Sequence, residues 1–372
     1  MKIGILTYHR AHNYGAMLQA YALRIVLQKN GHQAEFIDYW PQSHQVQYKL
    51  LRPIRGKGII DKIKNFIADI LTFTRRYWRS KQFNQFAMSY LSLSKHIAYP
   101  TERPTIMEKY DLVIVGSDQI WRNHITTQQH IGFDPVYFCQ NFACPTHCIS
   151  YAASMGIINL CEQDRKELQH YLNYFGTILV RENSLKSLIN QLTFQADVVL
   201  DPTLLITKEE WNTLLPSSSY RKKQYVLYYE LIPSTNALAF AREQARTLHC
   251  DLLIMDSVIH TIPRLGHISY ASPIEFLHAI RDAKYVVATS FHGTAFSIIF
   301  EKQFITIGLR TNSDRVQTLL KHLQIENNYS PTPAIAPAID YTIINTLLEK
   351  MRQHSLQLLT SAINISRSSK EK

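Results

Sequence analysis

Short runs of β-branched and apolar residues recur along the chain. Each is followed by a few small polar or charged residues and then by apolar positions at helical spacing, the pattern of strands and helices in alternation. The run 3–8 opens the series. After His12-Asn13-Tyr14-Gly15-Ala16, the residues Leu18, Tyr21, Ala22, Ile25 and Val26 recur with a helical period, and Asn30-Gly31 ends the helix they predict. Further strands are predicted at 34–39, 111–115, 149–153, 177–180 and 198–200, with helices over 162–173 and 208–215. Beyond a linker at 216–223, strands at 225–230, 251–255, 285–289 and 304–307 alternate with helices near 236–248, 273–283, 294–300 and 313–323. A last helix covers 340–360, and the final dozen residues read as a frayed tail.

Alternation of this kind predicts an α/β protein of two doubly wound Rossmann-like domains, 1–215 and 224–338, facing a cleft. A helical insertion at about 42–103 interrupts the first domain, and 339–372 form a C-terminal helix and tail. A length of 372 residues agrees, being too great for one ordinary core.

Charge changes the picture in one place. The net charge is +11 and the pI about 9.3, which points to an anionic partner. Between positions 52 and 81, nine Lys or Arg stand against two acidic residues, a net +7. There Ile59, Ile63, Phe66, Ile67, Ile70, Phe73, Tyr77 and Trp78 fall on one side of a predicted helix over 59–79, flanked by Lys62, Lys64, Arg75, Arg76 and Arg79. Such a helix either lies on an acidic membrane surface as a peripheral contact or packs its apolar side on its own domain with the charges solvated. The second is the expectation, since amphipathicity is ordinary for surface helices. No nucleic-acid-binding motif accompanies the charge. The short apolar run at the N-terminus and the absence of a long one elsewhere lead to the expectation of a cytoplasmic protein. Cys139, Cys144, Cys148 and Cys161, with His147 among them, lack the paired spacing of a zinc site, so no metal or other cofactor is expected.

Candidate chemistry gathers where strands end, because the ends of successive parallel strands converge on one edge of a sheet. The first turn has no G-x-G-x-x-G, which argues against a dinucleotide, although Asn13 and Gly15 stand there and either line a site or merely cap and turn the chain. Later strands end in Gly116-Ser117-Asp118-Gln119, Ser154-Met155-Gly156, Arg181-Glu182 and Asp201-Pro202-Thr203. Arg181 suits a carboxylate or phosphate partner, with a structural salt bridge to Glu182 or Asp201 as the competing role. In the second half, 285–289 ends in Ser290-Phe291-His292-Gly293-Thr294. There His292 stands beside helix-start amides that can hold an anion, or else only caps the helix. The segment 310–315 after the last strand adds Arg315.

The sequence resembles the polysaccharide pyruvyl transferase family. Eight motifs in the expected order carry the resemblance over about residues 1–325, among them Asn13-Tyr14-Gly15-Ala16, Val115-Gly116-Ser117-Asp118-Gln119, Tyr151-Ala152-Ala153-Ser154-Met155-Gly156, Arg181-Glu182-Asn183-Ser184, Leu200-Asp201-Pro202-Thr203 and Ser290-Phe291-His292-Gly293-Thr294. The resemblance implies a GT-B-like fold and transfer of pyruvate from phosphoenolpyruvate, the donor substrate, to two hydroxyls of a saccharide acceptor, lipid-linked or free. It implies functional roles for His292 and Arg181. Where related enzymes often have Arg-Leu-His-Gly, this chain has Ser290-Phe291-His292-Gly293, without the arginine. The chemistry then suggests His292, with Asp118 or Glu182, as acid and base. Arg181 and Arg315 would hold the donor's anionic groups, and Asn13, Gly15, Ser117, Ser290, Gly293 and Thr294 would line the substrate site. The competing readings are a GT-B glycosyltransferase using a nucleotide sugar and a non-enzymatic sugar- or membrane-binding protein.

Overall fold

The computed structural model describes residues 1–51, 58–95, 109–125, 130–140, 148–260, 264, 266–308 and 313–370. Among the described residues the strands are β1 (Lys2–Leu6), β2 (Gln33–Phe36), β3 (Leu112–Val115), β4 (His124–Ile125), β5 (His130–Gly132), β6 (Cys148–Ala153), β7 (Thr177–Val180), β8 (Asp197–Val198), β9 (Tyr225–Glu230), β10 (Asp251–Asp256), β11 (His267–Ile268), β12 (Tyr285–Ala288), β13 (Gln303–Ile307) and β14 (Tyr329–Ser330). The helices are α1 (Tyr14–Lys29), α2 (Gln42–Tyr48), α3 (Ile59–Tyr90), α4 (Glu162–Leu172), α5 (Asn183–Gln191), α6 (Lys208–Asn212), α7 (Thr235–Thr247), α8 (Pro273–Arg281), α9 (Phe291–Ile299), α10 (Asp314–His322) and α11 (Tyr341–Lys370).

One sheet runs β2-β1-β3-β6-β7-β8 and the other β11-β10-β9-β12-β13-β14, and every pairing in both is parallel. Helices cover both faces, so β3, β6 and β9 are buried along their whole length; this is why they read as unbroken apolar runs. The strand order reverses between β1 and β3 in the first sheet and between β9 and β12 in the second. Connections leave such a point in opposite directions and open a crevice at the strands' carboxyl ends. Ser117 and Asp118 end β3 at one switch point, and Ser290 and His292 follow β12 at the other.

The two halves share a core. Tyr14, at the start of α1, stacks on Phe276 of α8 with ring centroids 4.7 Å apart and planes within 3°. Trp211 meets Tyr21 of the first half and Phe296 of the second. The last helix is longer than predicted and no frayed tail begins at 361. It crosses back to the first domain, burying Ile344, Leu348, Leu359, Ala362 and Ile363, while Ser355 Oγ accepts from the Leu200 amide at 3.0 Å. The short strands β4, β5, β11 and β14 were missed, because two or three residues leave no periodic signal.

The expectation for the basic helix is overturned. The apolar side of α3 faces outward; Ile59, Ile63, Phe66, Ile67, Ile70, Phe73, Tyr77 and Trp78 are all exposed. The side that packs inward over its first two-thirds is polar, with Asp69, Thr72 and Arg79 buried before Phe83 and Phe86 continue it. Arg79, expected at the solvated border, sits over the rings of Tyr14 and Phe83 and donates to the carbonyls of His12 (2.8 Å), Ser257 (2.7 Å) and Ser269 (2.7 Å). One guanidinium thus ties the insertion to both domains. Charge count along a sequence cannot show that a cation will find carbonyls from two distant turns. Arg52 to Lys57, Cys144, His147 and Arg310 lie outside the described residues.

Candidate active site

The ends of β3, β7 and β8 from one sheet and of β12 from the other meet around Asp201. Its Oδ2 accepts from Arg181 Nη1 at 2.5 Å and from Ser117 Oγ at 3.2 Å, and its Oδ1 accepts from the Thr203 amide and hydroxyl at 3.0 and 2.7 Å. Across the cleft His292 Nε2 lies 3.7 Å from Asp201 Oδ2. Burial works to raise the Asp201 pKa, but His292, Arg181 and the Thr203 amide outweigh it and hold the carboxyl well below its usual range. Asp201 is the hub that the sequence left among the border residues. The strand-ending Asp-Pro-Thr was its only signal.

Arg181 is buried. Burial works against its charge, yet Asp201, Asp118 and Glu182 together keep its pKa raised. The salt bridge weighed as a competing role is therefore real, but only Nη1 is hydrogen-bonded in it. Nε and Nη2 have no hydrogen-bond partner; Asp118 Oδ1 stands 3.8 Å from Nη2 and Glu182 Oε2 4.0 Å from Nε. Glu182 uses Oε1 for the Ser154 hydroxyl (2.8 Å) and the Met155 and Gly156 amides (3.0 and 3.3 Å), leaving Oε2 with the Arg181 ion pair and no hydrogen bond. Asp118 adopts a left-handed backbone, φ 76°, and accepts its neighbour's amide from Gln119 at 2.8 Å. Arg315, in the first turn of α10, is buried over the Phe291 ring, whose centroid is also 5.0 Å from Arg181. Burial, and then the like charge of Arg181, lower the Arg315 pKa to about 10, and its Nε too is unpaired.

Five buried polar atoms, on Arg181, Glu182, His292 and Arg315, therefore converge without a hydrogen bond among the described residues, although those of Arg181, Glu182 and His292 face an opposite charge at 3.7–4.0 Å. Native interiors rarely leave such atoms unmatched, so their concentration at one cleft marks a place built for a ligand. A cavity of about 410 Å³ opens beside them, lined by Arg181, Asp201, Phe291 and Arg315, with Lys186 and Lys350 adding positive charge and Asp197 a carboxylate. Asp118, Glu182 and His292 do not line it; they stand one side chain away, behind Arg181 and Asp201.

Other expected site residues do structural work. Helix α9 begins at Phe291, not near Thr294, because Ser290 Oγ caps it by accepting the Gly293 amide at 2.9 Å. That amide is therefore not free to hold an anion beside His292, and His292 itself lies in the first turn. Thr294 donates to the Ser290 carbonyl at 2.9 Å and contacts Thr306 Oγ1 at 2.6 Å. Asn13 caps α1 through the Ala16 amide at 3.2 Å while also lining a second cavity of about 340 Å³ with His12, Arg76 and Arg79. Gly15 has a different role from the one expected. A Cβ built on it would stand 1.9 Å from His292 Nδ1, so the missing side chain is what lets the first domain close on the histidine.

The sequence profile of polysaccharide pyruvyl transferases matches residues 13–310, four-fifths of the chain, and takes in Ser117, Asp118, Arg181, Glu182, Asp201 and His292 but not Arg315 or the cavity lining from α10 and α11. The chain belongs to the polysaccharide pyruvyl transferase family. Its members are transferases of polysaccharide pyruvylation, and the cleft lies between two Rossmann-like domains, each built on a parallel six-stranded sheet. Among solved structures, a putative UDP-N-acetylglucosamine 2-epimerase from Listeria monocytogenes is 11% identical, covering 98% of this chain and 90% of its own, with a TM-score of 0.45. The UDP-GlcNAc 2-epimerase from Neisseria meningitidis, bound to UDP-GlcNAc, is 10% identical over 98% and 99%, with a TM-score of 0.46. An alpha-glucosyltransferase in complex with UDP and DNA is 9% identical over 98% and 95%, with a TM-score of 0.49. No curated protein matches the chain. No helix among the described residues is long and apolar enough to cross a membrane.

Proposed function

We propose that the cleft transfers pyruvate from phosphoenolpyruvate to two hydroxyls of a saccharide, forming a cyclic ketal and releasing phosphate. The observation that carries this reading is the set of donors on Arg181 and Arg315 that make no hydrogen bond among the described residues, buried beside a cavity with two lysines and near His292 and two carboxylates. A donor bearing a carboxylate and a phosphate needs two cationic anchors, and a planar guanidinium meets either group with two parallel hydrogen bonds. Arg315 supplies from α10 the charge that related chains often carry at the position of Ser290.

The reaction adds a proton to the methylene carbon of the enol, turning it into the methyl group, as one acceptor hydroxyl bonds to the neighbouring carbon. The second hydroxyl then bonds to the same carbon and the C–O bond to phosphate breaks. The proton gained by the methyl group is balanced by one hydroxyl proton, and the other leaves with phosphate or solvent. In this reading His292 carries the proton toward the donor. Asp201 remains a carboxylate and offsets the positive charge that forms on the ring. Asp118 or Glu182 takes the hydroxyl proton.

Replacing His292 with Ala should leave the fold intact and reduce phosphate release, measured with candidate acceptors, by roughly 10²–10⁴-fold. Turnover near that of the unaltered chain would remove it from the mechanism. Thermal stabilisation by a nucleotide sugar and not by phosphoenolpyruvate would replace this reading with a glycosyl transfer.

A further inference from the structure

The outward face of α3 has no counterpart in the rest of the molecule. Of nineteen exposed large apolar side chains among the described residues, ten lie on this one helix between Ile59 and Trp78, each 39–72% exposed. At 3.6 residues per turn they fill an arc of about 160°, on the opposite side from the buried Asp69, Thr72 and Arg79. A surface helix that packs for stability turns its apolar stripe inward. This one turns polar residues inward, fixes them through Arg79, and presents its apolar stripe outward.

The charges identify what covers that stripe. Lys62 borders one edge of the arc and Lys64 and Arg75 the other, while Lys81 lies 4.9 Å from the Trp78 ring at its far end. Both acidic residues of this stretch, Asp61 and Asp69, fall outside the arc. A second copy of the chain laid on the same face would bring cations against cations. A wide apolar arc with aromatic residues and a basic border matches instead the acyl boundary and headgroups of an anionic bilayer.

We infer that α3 lies in the plane of an anionic phospholipid surface, with its apolar arc inserted and the body of the protein held above. The docking does not depend on the reaction proposed above. If that reaction holds, a saccharide on a lipid carrier is presented at the surface to which the enzyme is bound. The cavity beside His12, Asn13, Arg76 and Arg79 lies against the inward side of this helix, away from the apolar arc.

The test is flotation of the full-length chain with vesicles of phosphatidylglycerol and phosphatidylcholine, and with phosphatidylcholine alone. The chain should float with the anionic vesicles at low salt and be released by high salt. Trp78 emission should shift to shorter wavelength, a shift lost in Trp78→Phe. Each cation near an anionic surface raises partitioning roughly fivefold, so Lys62→Glu with Lys64→Glu should weaken binding by at least about 25-fold. Phe66→Asp with Ile70→Asp, at two exposed sites, should abolish flotation while circular dichroism and solution mass stay unchanged. Absence of flotation by the unaltered chain, or flotation undiminished by the paired aspartates, overturns the inference. So does a dimer in solution that the paired aspartates convert to monomer, which would assign the face to a second copy. Phosphate release with a soluble acceptor is read separately, so that failure of docking and failure of the reaction are distinct results.

Discussion

Gly15→Ala isolates the function of the cleft from its stability. The Cβ would stand 1.9 Å from His292 Nδ1, 2.3 Å from Cγ and 2.5 Å from Cε1. Ordinary contact begins near 3.4 Å, so the imidazole has to retreat by roughly 1.5 Å or the domains have to part. Two terms set the stability change. Alanine is favoured over glycine in a helix by up to about 1 kcal/mol, while overpacking a buried site costs about 1–3 kcal/mol. The balance is a loss of roughly 0–3 kcal/mol, several degrees in Tm at most. The catalytic term adds to this, because a displacement of 1 Å at a reacting group costs on the order of 10²-fold. Phosphate release by Gly15→Ala should therefore fall about 100-fold or more, with a loss of at most about 3 kcal/mol in urea denaturation. Combining it with His292→Ala should add almost nothing, since both act through one ring. Undiminished turnover in Gly15→Ala would refute both the placement of the histidine and its role.

Asp201→Asn leaves Arg181 buried without its closest counter-charge and should cost about 3–5 kcal/mol in chemical denaturation; a loss below 1 kcal/mol would contradict the pairing. The Asp201 pKa is depressed on folding, so its contribution is fully present well above the unfolded value near 4 and is lost as pH falls. The unaltered chain should weaken below about pH 5 and Asp201→Asn should lack that part of the acid limb. Arg79→Met strands three buried carbonyls and should destabilise the chain by roughly 2–4 kcal/mol, an effect that near-unchanged urea midpoints would disprove. Arg315→Ala should raise the KM for phosphoenolpyruvate by about 10-fold or more, with partial recovery in Arg315→Lys. An unchanged KM would show that the anchor lies elsewhere.

Much of the fold was legible because parallel strands buried on both faces read as continuous apolar runs, and the helices between them carry their own caps and periods. Asn30-Gly31 ended α1 where the chain indeed turns, and Tyr285 to Ala288 was recognised as the strand that delivers His292. The site was legible only as a set of strand ends. Arg181, Glu182, Asp118 and His292 could be named because residues after parallel strands share an edge. The Arg181 salt bridge to Asp201 could be offered as a competing role, but the contact of Asp201 with His292 could not, since it exists only after two domains have closed.

The local pattern along the chain determined the alternating α/β order, the switch-point edges and the family. Hydrophobic period, helix caps and short motifs all act over a few residues, and those are the distances at which a sequence carries its own signal. The tertiary structure decided whatever depended on groups far apart in sequence. It made Gly15 the space for a histidine nearly three hundred residues away and gave Arg79 to the carbonyls of two domains. It also turned the apolar side of α3 outward, because the polar side of that helix had distant partners to satisfy and the apolar side has none among the described residues.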